Sequence, residues 1–266
     1  MINVTLQPAI LDVFWALKKY SLVGMLGWQD VSQRYKRSSI GAFWLTISMG
    51  IMISTMSLVF SNIFRLPLRE FLPFLCIGMI LWGFISSVVT EGCQGFVSAQ
   101  SIIKQINLPL FIHIARMLWR NIIILGHNLV IFPIVILAVG APLNSAFFLS
   151  IPGFILLTIN VAWVSLILSI FCTRYRDMSP IINSLLQIVF YLTPIMWMPN
   201  TLSRRAGAYL IDFNPVYHLI SIVRDPLLSQ YPTSLDWVVS SGLALGGWLI
   251  TLMIFSRYQR RIAYWL

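Results

Sequence analysis

Long stretches without a charged side chain constrain this chain more than any other feature. Six segments of about 20 or more residues contain no Asp, Glu, Lys or Arg, and that is the length an α-helix needs to cross the hydrocarbon of a bilayer. They are residues 43–64, 71–90, 121–140, 146–171, 178–198 and 237–256. With 58% hydrophobic and 10% charged residues, a water-soluble fold is excluded. The sequence therefore predicts an all-α membrane protein with six transmembrane helices.

The basic residues are distributed unevenly between the two sides of this bundle. With both termini in the cytoplasm, 13 of the 18 Lys and Arg residues lie on the inner side, as the positive-inside rule requires. The outer side keeps Arg65, Arg69, Arg204, Arg205 and Arg224. This asymmetry explains the net charge of +10 without nucleic acid as a partner. We expect a cytoplasmic N-terminal segment (1–39), a six-helix membrane domain (40–256) and a basic cytoplasmic tail (257–266).

The segment before the first span has the pattern of an amphipathic helix at the membrane surface. Its apolar residues share one helical face and its polar residues the other: Leu22, Met25, Trp28, Val31 and Tyr35 against Asp30, Gln33, Arg34 and Arg37. Such a helix is either a plain surface anchor or a device that grips a polyanionic lipid or a motor subunit. The sequence leaves both alternatives open.

Two connections between spans are expected to carry short helices. Residues 92–108, on the cytoplasmic side, are weakly amphipathic and predict a helix parallel to the membrane that ends before Pro109. Residues 208–213 and 216–227, between spans five and six, are too apolar for an exposed loop. Because Asn214-Pro215 interrupts them, they predict two short helices that re-enter the membrane from the periplasm. Such a pair could close an exit, with Tyr209, Phe213 and Tyr217 near the opening.

Basic side chains stand at the depth of lipid phosphates in two places. Arg34, Lys36 and Arg37 come where the surface helix meets the first span, and Arg116 and Arg120 share a helical face with His113 at the mouth of the third span. These side chains either extend to lipid headgroups or bind a phosphate through charge-assisted hydrogen bonds. The sequence does not choose between these roles.

Several chemistries lack the residues they need. There is no G-x-x-x-x-G-K-[ST] phosphate loop, so the chain cannot hydrolyse a nucleotide by that route. A membrane glycosyl- or phosphotransferase needs clustered acids, whereas the four inner acids are not paired at catalytic spacing. An ion-coupled transporter needs ionisable groups within its spans, and the uncharged stretches offer only His127. The three cysteines lack the spacing of a zinc site. We predict no catalytic residue and no metal site.

Six runs of residues resemble the membrane subunits of ABC-2 type exporters of bacterial polysaccharides. They are RYKRSSIGAFW (34–44), IIKQINLP (102–109), RYRD (174–177), LTPI (192–195), NP (214–215) and RYQRRIAYWL (257–266). Their order and their positions relative to the spans are most similar to the permeases of O-antigen lipopolysaccharide export. Exporters of capsule and teichoic acid come next. The resemblance covers essentially the whole chain.

The resemblance implies a permease that exports a polysaccharide linked to undecaprenyl diphosphate across the bacterial inner membrane. It implies a homodimer that works with two copies of a cytosolic ATPase, which binds ATP and Mg while this chain holds no cofactor. A dimer also agrees with size, because a six-helix bundle is barely wide enough to enclose a sugar chain. The runner-up is an ABC-2 type exporter of a drug or small lipid.

By the same resemblance, three groups of residues acquire roles. The coupling helix that enters the ATPase comprises Ile102, Ile103, Lys104, Gln105, Ile106 and Asn107. The two re-entrant helices form a periplasmic gate. The candidate ligands of the substrate diphosphate are Arg34, Lys36, Arg37, Arg116 and Arg120.

Aromatic side chains are the candidates for lining the export path, because the C–H faces of sugars stack on aromatic rings without any need for charge. The candidates are Trp44, Phe60, Trp82, Phe84, Phe190 and Tyr191. For each of these rings, the alternative is contact with lipid or packing between helices.

Overall fold

The computed structural model describes residues 6–36, 41, 43–140, 142, 144–199 and 211–266, without the side chains of residues 34 and 35. All regular elements among these residues are helical, as predicted. They are α1 (Gln7–Lys18), α2 (Tyr20–Tyr35), α3 (Phe43–Phe64), α4 (Leu68–Cys93), α5 (Gln100–Gln105), α6 (Phe111–Leu129), α7 (Ile131–Val139), α8 (Ser150–Arg174), α9 (Met178–Leu192), α10 (Pro215–Leu227) and α11 (Ser234–Trp265). Short 3₁₀ turns at Val97–Ala99 and Ser145–Leu149 precede α5 and α8.

Five helical segments are long and apolar enough to cross a membrane, and each covers all or nearly all of one of the six predicted spans. They are Phe43–Phe64, Leu68–Cys93, Phe111–Val139, Ser145–Arg174 and Ser234–Trp265. The third joins α6 to α7 across a break at Val130. Pro133 explains this break, because it lacks the N–H that would bond the carbonyl of Leu129. The prediction of a polytopic helical membrane protein is confirmed.

The helix in the fifth predicted span, residues 178–198, is shorter than those in the other spans. α9 has 15 residues and ends at Leu192. At 1.5 Å per residue it is about 22 Å long, which is less than the thickness of the hydrocarbon core. The helix ends because Thr193 precedes Pro194, and a residue before proline is driven into extended backbone.

α4 is the buried centre of the bundle, and small residues let its neighbours approach closely. On α8, the hydroxyl of Ser169 donates to the carbonyl of Gly92 on α4 at 2.6 Å. A Cβ atom on Gly153 of α8 would lie 2.2 Å from the carbonyl oxygen of Ile222 on α10. Close approach at small residues is how helices gain packing contacts where no hydrophobic effect operates between them.

The N-terminal helices are held against one end of the bundle by Asp12, which the sequence analysis did not single out for this. Its carboxylate accepts hydrogen bonds of 2.9 Å from the backbone N–H groups of Leu110 and Phe111, at the start of α6. Gln259 of α11 donates to it at 2.8 Å. Burial raises the pKa of Asp12, whereas the two backbone donors and Gln259 lower it. One side chain thus joins α1, α6 and α11.

Two helices leave most of their side chains uncovered within one chain. α3 buries only Ile53, Ser57 and Ser61, and α9 buries none of its residues. The uncovered faces are not purely apolar, since Ser54 and Asn62 of α3 and Gln187 of α9 are exposed.

Candidate functional site

Charged side chains of three helices meet at one end of the bundle. Arg116 on α6 binds both carboxylate oxygens of Asp30 on α2, and its Nε donates at 2.6 Å. Arg120, one turn further along α6, donates to Asp30 at 3.3 Å and to Glu91 of α4 at 2.7 Å. Asn121 donates to the same Glu91 oxygen at 2.6 Å. We call these five residues the α6 cluster, which joins α2, α4 and α6.

A cavity of about 150 Å³ opens beside the α6 cluster. Its walls also include Ser98 and Ala99, in the turn that leads directly into α5. The predicted coupling segment therefore begins next to this network of ion pairs. Within α5 and the two residues after it, Lys104, Gln105 and Asn107 are exposed, and Ile106 is 54% exposed. Ile102 and Ile103 are half-buried.

The structure changes the interpretation of α2. Asp30 was expected on an outward polar face with Gln33, Arg34 and Arg37, but it lies in the interface with α6. The physical reason is the pair of guanidinium groups on α6, which supply charge-assisted partners for a half-buried carboxylate. On the predicted apolar face, Val31 is buried while Trp28 is 60% exposed.

Among the candidate ligands of a substrate diphosphate, three have side chains that the structure describes: Lys36, Arg116 and Arg120. Arg116 and Arg120 bind carboxylates, so an anion would have to compete with Asp30 and Glu91 for them. Lys36 is exposed at the end of α2. The side chain of Arg34 and all of Arg37 lie outside the described residues. Binding of a diphosphate at these positions stays a prediction.

The candidate aromatic residues separate into three places. Trp82 of α4 contacts Phe190 of α9 with 5.4 Å between ring centroids, and Phe190 is 5.3 Å from Tyr191, which is 63% exposed. Phe84 is buried against Phe154 of α8, so within one chain it packs between helices. On α3, Trp44 is exposed and Phe60 stacks on Phe64 at 5.8 Å. Whether any of these rings lines a path stays a prediction.

At the other end of α4, α10 carries a second set of charged groups. The imidazole of His218 contacts Asp236 of α11 at 2.6 Å and the carbonyl of Asp212 at 3.0 Å. The other oxygen of Asp236 accepts from the backbone and hydroxyl of Thr233, which closes a capping box at the start of α11.

Arg224 is the largest fully buried side chain of the described residues, at 1% exposure. Its Nη1 donates to the carbonyl of Pro194 at 2.7 Å, and its guanidinium lies 4.2 Å from the ring centroid of Phe74. Asp225, next to it, has a carboxylate oxygen 3.5 Å from the Arg224 Nε. Burial raises the pKa of Asp225 to about 6, Arg224 lowers it, and Asp236 raises it further. We call His218, Arg224, Asp225 and Asp236 the α10 cluster.

The predicted gate residues lie around the start of α10. Tyr209 is outside the described residues. Phe213 is 79% exposed, and Tyr217 is half-buried beside Arg224, with 5.7 Å between its ring centroid and the guanidinium. The second predicted re-entrant helix, residues 216–227, is present as α10. Its relation to a membrane stays a prediction.

The burial of the charged residues of α10 was not predicted from the sequence. Arg224 was treated as an ordinary outer charge, although His218, Ser221, Arg224 and Asp225 recur at helical spacing in an apolar run. That spacing was the available signal for a buried polar stripe. In the part of the chain described, no three His, Cys, Asp or Glu side chains group as a metal site would require.

The sequence of this chain matches the model of a known family. The model of the ABC-2 type transporter family aligns with residues 21–228, which run from α2 to the residue after α10. The chain belongs to the ABC-2 type transporter family. This confirms the family inferred from the six sequence runs. The matched region of this chain includes the α6 cluster and all of α10.

Curated relatives carry the name that the motifs indicated. The O-antigen export system permease protein RfbA of Klebsiella pneumoniae is 22% identical over 255 residues, which is 92% of this chain and 94% of the relative. A second Klebsiella pneumoniae protein of that name has the same identity and coverage. RfbA of Myxococcus xanthus is 20% identical over 195 residues, which is 73% of this chain and 75% of the relative. The similarity to O-antigen export permeases is confirmed.

Proposed function

We propose that this ABC-2 permease exports a polysaccharide carried on undecaprenyl diphosphate across the bacterial inner membrane. The observation that carries the proposal is the match over 92% of the chain to a protein named an O-antigen export system permease. The chemistry of the chain agrees, because uncharged spans with exposed aromatic rings suit a substrate whose sugar composition varies.

A homodimer is the proposed functional unit. The uncovered faces of α3 and α9 support it, because exposed Asn62 and Gln187 would be costly against lipid hydrocarbon. A second copy, or a hydrated path between two copies, gives such groups partners. Trp82, Phe190 and Tyr191 lie next to the α9 face and are the best candidates for the wall of that path.

The proposed topology has six crossings with both termini in the cytoplasm. α9 and residues 193–198 supply the crossing that α9 alone is too short to complete. The α6 cluster then faces the cytoplasm and α10 lies on the periplasmic side. α10 suits a re-entrant gate helix, because Ile220, Ile222 and Val223 are buried against the bundle.

Two cytosolic ATPase subunits, each of which binds ATP and Mg, are the proposed source of energy. The exposed tip of α5 is their proposed docking point. This docking point is supported by the exposure of an apolar side chain, Ile106, next to the exposed polar side chains of Lys104 and Gln105. Apolar side chains flanked by polar ones on a short exposed helix are typical of a protein interface.

Deletion of the chain in its native bacterium tests the proposal. We expect surface polysaccharide to disappear and lipid-diphosphate-linked glycan to accumulate in membranes, with both effects reversed by re-expression. A variant without the α5 surface, with Lys104, Gln105 and Ile106 replaced by Gly, should insert normally and still fail to restore export. Unchanged surface polysaccharide together with reduced efflux of a drug would contradict the proposal and favour the small-molecule exporter.

A further inference from the structure

A polar cavity lies at the α10 end of the bundle. It measures about 440 Å³ and lies between the start of α4, α10 and the segments that follow α7 and α9. Two guanidinium groups and two carboxylates line it, those of Arg69, Arg224, Glu70 and Asp225. The lining therefore has no net formal charge but is strongly dipolar. This combination is unlike the α6 cluster, where the opposite charges bind one another directly.

The polar groups of this cavity are incompletely partnered. Arg224 is 1% exposed, and among the described residues its Nε has no hydrogen-bond partner. The nearest carboxylate oxygen to this Nε among the described residues is Oδ1 of Asp225, at 3.5 Å. Arg69 donates only to the carbonyl of Gly140 there, at 3.1 Å. An unpartnered group of a buried guanidinium is costly, so an anion that reached the Nε of Arg224 would stabilise it, and exposed Arg69 offers the same anion a second guanidinium group.

An apolar groove adjoins the polar cavity. It measures about 610 Å³, and nearly all of its lining is hydrophobic, contributed mainly by α4, α7, α8 and α10. Ser150, the polar member, already donates its hydroxyl hydrogen to the carbonyl of Phe147 at 2.6 Å. Ile136 and Leu227 line both the groove and the polar cavity. A dipolar site and a hydrocarbon site therefore share a wall.

We infer that the two cavities together hold one glycerophospholipid with a zwitterionic, phosphoethanolamine-type headgroup. Its phosphate lies between Arg69 and Arg224, its ammonium lies between Glu70 and Asp225, and an acyl chain occupies the groove. Guanidinium groups favour phosphate oxygens, and carboxylates favour an ammonium, so the charges of the cavity match those of this headgroup. The inference requires only that the chain is a membrane protein and is independent of the exported substrate.

The charges also discriminate against other lipids. Phosphatidylglycerol, an anionic phospholipid, has a phosphate but no ammonium, so it would leave Glu70 and Asp225 opposed by negative charge. A polyprenyl diphosphate would add a second phosphate and increase that repulsion. Specificity therefore resides in the two carboxylates, while the arginines supply attraction to any phosphate.

The environment of Asp225 supports this arrangement. Desolvation raises the pKa of Asp225 to about 6 against the opposing effect of Arg224, while Asp236 raises it further and is itself paired with His218. Arg69 and Glu70 of α4 face it across the cavity. A lipid ammonium would stabilise the ionised carboxylate. Retention of the lipid should therefore weaken below about pH 6, where protonation removes the acceptor.

Native mass spectrometry of the purified full-length permease tests the inference without any variant. The probes are dioleoyl phosphatidylethanolamine and dioleoyl phosphatidylglycerol, offered at equal concentration. We expect one molecule of the zwitterionic lipid per chain and a preference of about tenfold, which corresponds to about 1.4 kcal/mol. Equal retention of the two lipids would overturn the inference. So would displacement of phosphatidylethanolamine by an equimolar amount of undecaprenyl diphosphate.

Variants separate the headgroup site from the groove. Asp225→Asn should reduce the preference between the two lipids, because only Glu70 then opposes an anionic headgroup, and Arg69→Gln should weaken retention of both. Ile151→Trp, which fills the groove, should lose the lipid, whereas Leu245→Trp on an exposed face of α11 should keep it. If Ile151→Trp and Leu245→Trp retain phosphatidylethanolamine equally, the groove does not hold the acyl chain and the site is refuted.

Discussion

The two charged clusters of this permease differ in how their cations are partnered. In the α6 cluster, Arg116 and Arg120 bind carboxylates on α2 and α4, and all of these side chains are partly exposed. In the α10 cluster, Arg224 is fully buried and binds a backbone carbonyl and an aromatic ring, while Asp236 is taken by His218. Similar residues therefore have different roles in the two clusters. The α6 cluster links three helices through ion pairs, whereas in the α10 cluster the Nε of Arg224 has no hydrogen-bond partner among the described residues and lies beside a cavity.

The largest loss of stability is expected from a change to the buried pair of His218 and Asp236. Asp236→Ala removes the partner of His218 and the capping box of α11, so the unfolding free energy should fall by about 3–5 kcal/mol. Thermal unfolding in detergent, followed by size-exclusion chromatography, measures the change. Asp212→Ala is the control, because it keeps the carbonyl that accepts from His218 and removes only an exposed side chain. Equal loss in both variants would show that the buried pair is unimportant.

The next prediction concerns the pH dependence of stability that Asp225 gives to the α10 cluster. The pKa of Asp225 is raised to about 6, so protonation favours the folded state. The stability that it contributes is present below about pH 4 and is lost as pH rises through about 6. Relative to Asp225→Asn, the wild-type chain should therefore lose on the order of 2 kcal/mol between pH 4 and pH 7. Parallel pH profiles of the two proteins would contradict the buried, poorly partnered state of this carboxylate.

A smaller effect is expected in the α6 cluster, because its side chains are partly exposed to solvent. Asp30→Ala and Arg116→Ala should each destabilise the permease, and a double-mutant cycle should give a coupling energy of about 1–2 kcal/mol. Chemical denaturation in mixed micelles measures the four proteins. A coupling near zero would show that the α2–α6 contact depends on packing rather than on the ion pair.

The smallest change in stability should accompany a large change in function. Lys104→Glu on exposed α5 should alter the unfolding free energy by less than about 0.5 kcal/mol. Export should nevertheless fail, and ATP hydrolysis by the partner should continue, if α5 is the docking point. The matched control is Lys19→Glu, an equally exposed residue between α1 and α2. Loss of export in both variants would indicate a general effect of charge rather than docking at α5.

The parts of this fold that depend on local pattern were predictable. Charge-free length located the five full spans, and Asn214-Pro215 located the start of α10. The charge-free stretch overestimated the length of α9, although Pro194 marked the end of this helix. The ion pair of Asp30 with Arg116 was not predictable, because it joins residues far apart in the chain and requires tertiary packing to bring them together. The burial of Arg224 was not predicted, because a single charge in a connection between spans usually lies at the surface.

One helix reaches both ends of the molecule, and this has a mechanical consequence. α11 has 32 residues, so it is about 48 Å long. Near its first turn, Asp236 holds α10 through His218, and at its other end the carbonyl of Leu266 accepts a hydrogen bond from Gln100 at the start of α5. α11 therefore acts as a stiff rod between these two contacts. An axial displacement of this rod would act on both contacts at once, and it would also strain the hydrogen bonds that join Ser240 and Trp248 of α11 to α8.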